Sequence, residues 1–339
     1  MGGPVSRPLS RLVSDGRLLA GALRDPASVA ALDGDGWTAL LAMARAEQLI
    51  GTLAKRLSGQ PMPQAAARVL ADAAASIAQN RRQALWEAEM ARRALAATGV
   101  PVVLLKGTAF LAGGLRAGEG RSCGDLDILV PRDALPQVEE ALLAAGWSWL
   151  KPDPYDDAYY RRWMHELPPL IHRERDRMID VHHTILPLTA RPSPDAEGLL
   201  ADSVALPDGL RMLSPADMLV HAAAHLFADG DLAGGLRNLW DVHCLVHQFG
   251  TDGLAERACR HGLQREVDRA LRLAGALYGG EGRSLRGADR LYLRRLLARD
   301  GWGRETRPLT RLGFYVRSHW LRMPPLMLAR HLWTKWRRP

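Results

Sequence analysis

The chain has 339 residues, 47% of them hydrophobic, so it can bury a sizeable core and has room for two domains. Its formal net charge of +8 is gathered in one place: residues 301–339 hold nine Arg or Lys against a single acid, Glu305, and residues 1–300 balance. That argues against the strongly basic core expected of a general nucleic-acid enzyme, and no apolar run reaches bilayer-spanning length.

The opening residues match M-G-x-x-x-S, a myristoylation pattern short enough to arise by chance, and they carry no apolar h-region. Cys123, Cys244 and Cys259 are few and odd in number, which fits a reduced, cytoplasmic setting. Cys123 reads as a small buried filler, since no His follows at a spacing that would make it a nucleophile.

Residues 8–23 and 36–57 carry apolar side chains at helical spacing, among them Trp37, Leu40, Leu41, Ala44 and Ile50. Pro61 and Pro63 interrupt the pattern. Residues 64–97 are Ala-rich and predict one long helix, closed by Gly99 and Pro101. Residues 1–99 therefore read as a helical support with no chemistry of their own.

A strand, turn, helix, loop and second strand follow within residues 102–131. Residues 102–105 are a short apolar run ended by Lys106-Gly107. The Thr108 hydroxyl can cap a helix over residues 109–115. Residues 118–124 are a glycine-rich loop, and residues 125–130, DLDILV, are a strand stopped by Pro131. Alternation puts Asp125, Asp127 and Leu129 on one side and turns Leu126, Ile128 and Val130 to the core. Two carboxylates that close repel unless a cation or a shared proton lies between them. Mg²⁺ suits the place, being hard, oxygen-seeking and tolerant of phosphate ligands.

Residues 133–145 predict a helix capped by Asp133 and stopped by Gly146, and residues 147–150 a strand. Residues 151–166, KPDPYDDAYYRRWMHE, read as an irregular surface connection, with a substrate-facing lid as the alternative. Residues 168–172 and 177–185 look like paired strands across the charged turn 173–176. Met178, Asp180, His182 and Thr184 then share a face. Asp180 supplies a third acid, with His182 beside it to orient a ligand or meet a phosphate. Lys is scarce, at Lys55, Lys106, Lys151 and Lys335 only. Lys106 is thus either a point charge near phosphate or a packed stem with a solvated head. Arg121, just ahead of the acid pair, is a candidate triphosphate clamp.

Ser214-Pro215-Ala216-Asp217 is a helix start, continued through residues 218–227. His221 and His225, and His243 and His247 on a helix over residues 235–249, are spaced i, i+4. No Glu follows His221 as in H-E-x-x-H and no Cys pair accompanies them, so packing or pocket histidines are a better reading than zinc. Asp241 sits on a core-lining face and predicts a polar contact at a helix junction. Further helices at 253–262, 263–278 and 287–300 complete a bundle. Residues 313–339 mix Phe314, Tyr315, Trp320, Trp333 and Trp336 with Arg and Lys, which suits either a docking helix or peripheral membrane contact.

LLKGTAF at residues 104–110, R-x-x-x-D-L-D-I-L-V at 121–130 and I-D-V-H at 179–182 together resemble the uncharacterised nucleotidyltransferase family, part of the DNA polymerase β-like nucleotidyltransferase superfamily. The likeness covers about residues 104–183. It implies that Gly107-Thr108 stands for the superfamily's Gly-Ser turn, with Thr replacing Ser and a longer spacing to the acids. It implies Asp125 and Asp127 as metal ligands and Asp180 as the third acid.

The expectation is an α+β protein: a small mixed sheet of about four or five strands at residues 100–210, helices before it, a helical domain at 211–312 and a basic aromatic tail at 313–339. The expected reaction moves a nucleoside monophosphate from a nucleoside triphosphate to an unknown acceptor. Asp125, Asp127 and Asp180 serve two Mg²⁺ ions, and Lys106, Gly107, Thr108, Arg121 and His182 serve the nucleotide. The rivals are an inactive scaffold of the same fold and transfer of the terminal phosphate.

Overall fold

The computed structural model describes residues 15–150, 153–207, 209–279, 284–322 and 328. Helices α1 (Arg17–Arg24), α2 (Gly34–Ala46) and α3 (Ile50–Arg56) precede α4 (Gln64–Leu95), a single 32-residue helix. The expected helix over 36–57 is two helices, because Gln48 takes a left-handed conformation with φ 55° and turns the chain between them. α4 runs as its alanine content predicts and passes into a short 3₁₀ turn ended by Gly99.

The middle of the chain is β1 (Val103–Leu104), α5 (Lys106–Ala112), β2 (Asp125–Leu129), α6 (Leu135–Ala144), β3 (Trp147–Trp149), α7 (Pro154–Trp163), β4 (Leu170–His172) and β5 (Met178–His182). Next come α8 (Ala196–Ala201), β6 (Val204–Ala205) and β7 (Arg211–Met212). The C-terminal helices are α9 (Pro215–Ala224), α10 (Gly235–Phe249), α11 (Leu254–Arg260), α12 (Gln264–Tyr278), α13 (Asp289–Leu296) and α14 (Pro308–Arg322). The fold class is α+β, with a mixed seven-stranded sheet in the order β3-β4-β5-β2-β1-β7-β6. The two short strands β6 and β7 carry no sequence alternation and were not expected.

Three local expectations change. Thr108 does not cap α5: the helix starts at Lys106, so Thr108 falls in its first turn and is buried. Asp133 does not cap α6, because a 3₁₀ turn over Arg132–Ala134 precedes it and Ala134 takes the cap position. Most of residues 153–166 is helical rather than irregular: Asp153 accepts from the N–H groups of Tyr155 and Asp156 and starts α7, with Pro154 in its first turn. Ser214 caps α9 as expected, accepting from the Asp217 N–H.

One hydrophobic cluster runs from Leu19 to Phe314, so the sheet shares its core with helices from both ends of the chain. β2 and β5 lie side by side and parallel, with Asp127 opposite Asp180 and Leu129 opposite His182. Residue alternation therefore puts Asp125, Asp127, Asp180 and His182 on one face of two adjacent strands. α14 leaves Leu309, Leu312, Val316 and Trp320 exposed along one side. The rest of the tail, Trp333 and Trp336 included, lies outside the described residues.

The loop ahead of β2 is pinned by backbone contact. Gly120 has φ 68°, and a Cβ there would run into the Gly51 backbone of α3; a Cβ on Gly51 would stand 2.6 Å from the Gly120 carbonyl. Neither position has room for a side chain. Gly120→Ala is expected to destabilise the protein by about 1–3 kcal/mol through strain and displacement of α3. Urea unfolding at constant slope against denaturant measures this, and an unchanged midpoint contradicts it.

Candidate active site

Asp127 is the inner member of the acid pair, only 4% exposed, and a charge so buried needs partners. Two converge on one of its oxygens. The Lys106 ammonium donates to Oδ1 at 2.6 Å and the His182 Nε2–H donates to the same Oδ1 at 3.0 Å. Lys106 can reach because its backbone takes φ 48°, a left-handed turn at the β1–α5 junction. Its head is therefore ion-paired with Asp127 rather than merely solvated. Burial acts to raise the Asp127 pKa, but Lys106 and His182 outweigh it and hold the carboxyl well below the usual carboxylate range. Burial likewise acts against the Lys106 ammonium, and Asp127 and then Asp125 and Glu166 more than compensate, raising it to about 12.

His182 gives its proton-bearing Nε2 to Asp127, so Nδ1 is the bare nitrogen, and it is buried with no partner among the described residues. Burial pushes this imidazole below its ordinary pKa against the pull of Asp127, so the ring is neutral at pH 7. His165 and His221 are pushed lower still by burial and by the neighbouring positive groups, Lys106 among them.

Asp125, Asp127 and Asp180 bring one carboxylate oxygen each within 4.8 Å of one another. With both donors on Oδ1, the Asp127 Oδ2 is free of hydrogen bonds among the described residues. The Asp180 Oδ1 is buried with no hydrogen-bond partner among the described residues. Burial raises the Asp180 pKa from 3.8 to about 7, with the Asp127 and Asp125 charges adding to it. An orphaned oxygen inside a three-carboxylate set is a donor set that fits a hard divalent cation.

A second group, His165, Glu166 and His182, adjoins the first through the His182–Asp127 hydrogen bond. The Glu166 Oε2 lies 3.5 Å from the His182 Nε2 and 3.8 Å from the His165 Nε2. Glu166 pairs with His182 in an isolated antiparallel bridge, which brings the end of the α7 segment onto the site. Tyr160 of α7 feels the same charges: burial, then Glu166 and Asp180, raise its phenol. The lid alternative for residues 151–166 thus has a physical basis that the irregular-connection reading lacks. Sequence reasoning missed His165 and Glu166. The signal was Pro168-Pro169, which biases the residues before it to extended backbone able to pair with β5.

Arg121 is not in a position to clamp a triphosphate. Its guanidinium is ion-paired with Asp241 of α10 inside the protein, 5.7 Å from the Phe110 ring centroid. Burial acts against the charge, and Asp241 restores it. Arg121 instead backs the turn: a Cβ on Gly107 would meet its Nε at 2.5 Å and the Cys123 Sγ at 2.6 Å, so only glycine fits there. Asp241 is the helix-junction contact expected of it, accepting also from Arg237 at 2.7 Å. Asn80 of α4 brackets Cys123, donating to its carbonyl at 2.9 Å and accepting from its N–H at 2.8 Å. Burial pushes the Cys123 thiol up, consistent with a filler. Among the described residues, neither i, i+4 His pair belongs to a group that could hold a metal.

Asp180 titrates differently in the folded and unfolded chain, and this sets a pH effect. In metal-free protein the unfolded chain sheds the proton near pH 3.8 and the folded chain near 7, so stability falls as pH rises through that window. In excess EDTA at pH 8, Asp180→Asn is expected to be more stable than the wild type by on the order of 2 kcal/mol. Added Mg²⁺ should reverse the order, stabilising only the wild type. Thermal melts at pH 5 and 8 check it; a variant less stable than wild type in EDTA at pH 8 contradicts it.

A family model described as "Uncharacterised nucleotidyltransferase" matches residues 33–279. No curated protein matches the chain.

Proposed function

The chain belongs to the uncharacterised nucleotidyltransferase family, and we propose that it transfers a nucleoside monophosphate from a nucleoside triphosphate such as ATP to an acceptor hydroxyl. The observation that carries this reading is the meeting of three carboxylates from two adjacent strands. Asp125, Asp127 through Oδ2, and Asp180 would hold Mg²⁺, as one ion or two. When bound there, Mg²⁺ supplies positive charge to the phosphate oxygens.

The residues do the rest. Lys106 and His182 fix the Asp127 carboxylate by Oδ1, which leaves Oδ2 for the metal. The N–H groups of Gly107 and Thr108 stand in the first turn of α5, where no intrahelical partner exists, and suit the β- and γ-phosphates. The acceptor oxygen attacks the α-phosphorus, the bond to the bridging oxygen breaks, and pyrophosphate leaves. Asp180 either completes the metal's shell or accepts the proton of the attacking hydroxyl. Glu166 and Tyr160 edge the same space from the α7 side.

The rival reading, a scaffold that has lost its chemistry, fits an Asp180 turned away from the acid pair; the inward Asp180 argues against it. Peripheral membrane contact of the tail rests on the exposed Leu309, Leu312, Val316 and Trp320 of α14. No helix among the described residues is long and apolar enough to cross a membrane.

Nucleotide labelled at the α-phosphate, incubated with protein and Mg²⁺, should label an acceptor or the protein itself and release unlabelled pyrophosphate. Asp125→Ala/Asp127→Ala should lower both labelling and Mg-nucleotide binding at least about a hundredfold. Equal binding by wild type and variant contradicts the metal role. Label carried only from the γ-phosphate replaces nucleotidyl with phosphoryl transfer.

A further inference from the structure

A cavity of about 690 Å³ lies between the N-terminal helices and α10, and it shares no lining residue with the acid cluster. Arg24, Lys55, Arg56 and Arg116 line it, and among the described residues Glu119 is the only acid that does. Among the described residues none of these four cations forms an ion pair with a carboxylate. Arg56 spends its Nε and Nη2 on the Leu23 and Arg24 carbonyls at the end of α1. Four cations on one concave wall repel one another and concentrate an anion.

Rings form the floor. Trp240 and Tyr278 meet edge to face at 4.9 Å between centroids, and His243 lies 5.1 Å from Trp240 and 5.6 Å from Tyr278. Burial, then His247 and Arg56, lower the His243 pKa to about 4, so this half-buried ring is uncharged at pH 7. The Arg116 guanidinium lies 2.8 Å from the His247 Nδ1. A guanidinium can only donate, so Nδ1 is the bare nitrogen and Nε2 carries a proton to give. The wall thus offers donors and positive charge, and the floor offers neutral ring surface. The volume is within the range of small-molecule sites.

The cavity is wired to the catalytic strand. Its Thr52 hydroxyl donates to the Glu119 carbonyl and accepts from the Arg237 Nη1 at 2.6 Å. Arg237 is paired with Asp241, Asp241 with Arg121, and Arg121 packs under Gly107 beside Lys106.

We propose that this cavity is a second ligand site, for a phosphate-bearing molecule with a planar ring, of nucleoside monophosphate size. The phosphate lies against Lys55 and Arg116, and the ring lies over His243. The site stands apart from the acid cluster and does not depend on the nucleotidyl-transfer reading.

The test is calorimetric titration of the full chain with AMP and, separately, inorganic phosphate, in excess EDTA so that the acid cluster repels the probe. AMP should bind at least tenfold more tightly than phosphate. Lys55→Ala/Arg116→Ala should weaken AMP at least tenfold, with an unchanged melting curve in the absence of probe. Asp127→Asn should leave AMP affinity within twofold of wild type. The proposal is overturned by AMP binding no tighter than phosphate, by a double variant that binds as wild type does, or by loss of binding in Asp127→Asn. A double variant with a lowered melting curve is replaced by Arg116→Gln, which removes the charge and keeps a donor; it should still weaken AMP several-fold, and no change overturns the proposal.

Discussion

The arrangement turns on a single buried carboxylate oxygen. Asp127 Oδ1 receives both the Lys106 ammonium and the His182 Nε2–H, and that convergence makes the charge of a carboxylate nearly closed to water tolerable. It also leaves Oδ2 without a hydrogen-bond donor among the described residues. Lys106 reaches its place through a left-handed backbone at the start of α5, a conformation that costs free energy and persists only where the surroundings enforce it.

That enforcement comes from both ends of the chain. Gly51 and Gly120 bring α3 against the loop ahead of β2, and Asn80 of α4 grips the same loop at Cys123. From the other side, Asp241 and Arg237 of α10 hold Arg121, which fills the space under Gly107. The sheet carries the acids, while helices far off in sequence fix the turn that orients them. The same buried Arg121–Asp241–Arg237 layer separates the acid cluster from the cationic cavity and joins them.

Much of the acid cluster could be read from residues alone. Alternation in DLDILV and MIDVH gives the faces, and a parallel register of β2 on β5 then brings Asp127 opposite Asp180. The Ala-rich helix and the Ser214 cap were equally local and equally legible. What escaped was tertiary. Arg121 and Asp241 are 120 residues apart, so nothing local distinguishes a buried ion pair from a loop Arg poised for phosphate. Glu166 joins the site through one isolated bridge to His182, a pairing too short to leave a periodic pattern. Lys106 seemed to face phosphate or water; its true partner lies 21 residues on, across a turn whose φ no local rule anticipates. The cationic cavity draws on residues scattered from Leu23 to Gly279 and leaves no motif.

The most direct test is a crystal of the protein soaked with Mn²⁺ and a non-hydrolysable nucleoside triphosphate, read by anomalous scattering at the Mn edge. The account predicts a peak with oxygen ligands from Asp125, Asp127 Oδ2 and Asp180, each at roughly 2.0–2.3 Å, and Lys106 and His182 still on Asp127 Oδ1. Nucleotide bound with no peak among the three carboxylates, or a metal held without Asp180, would contradict it.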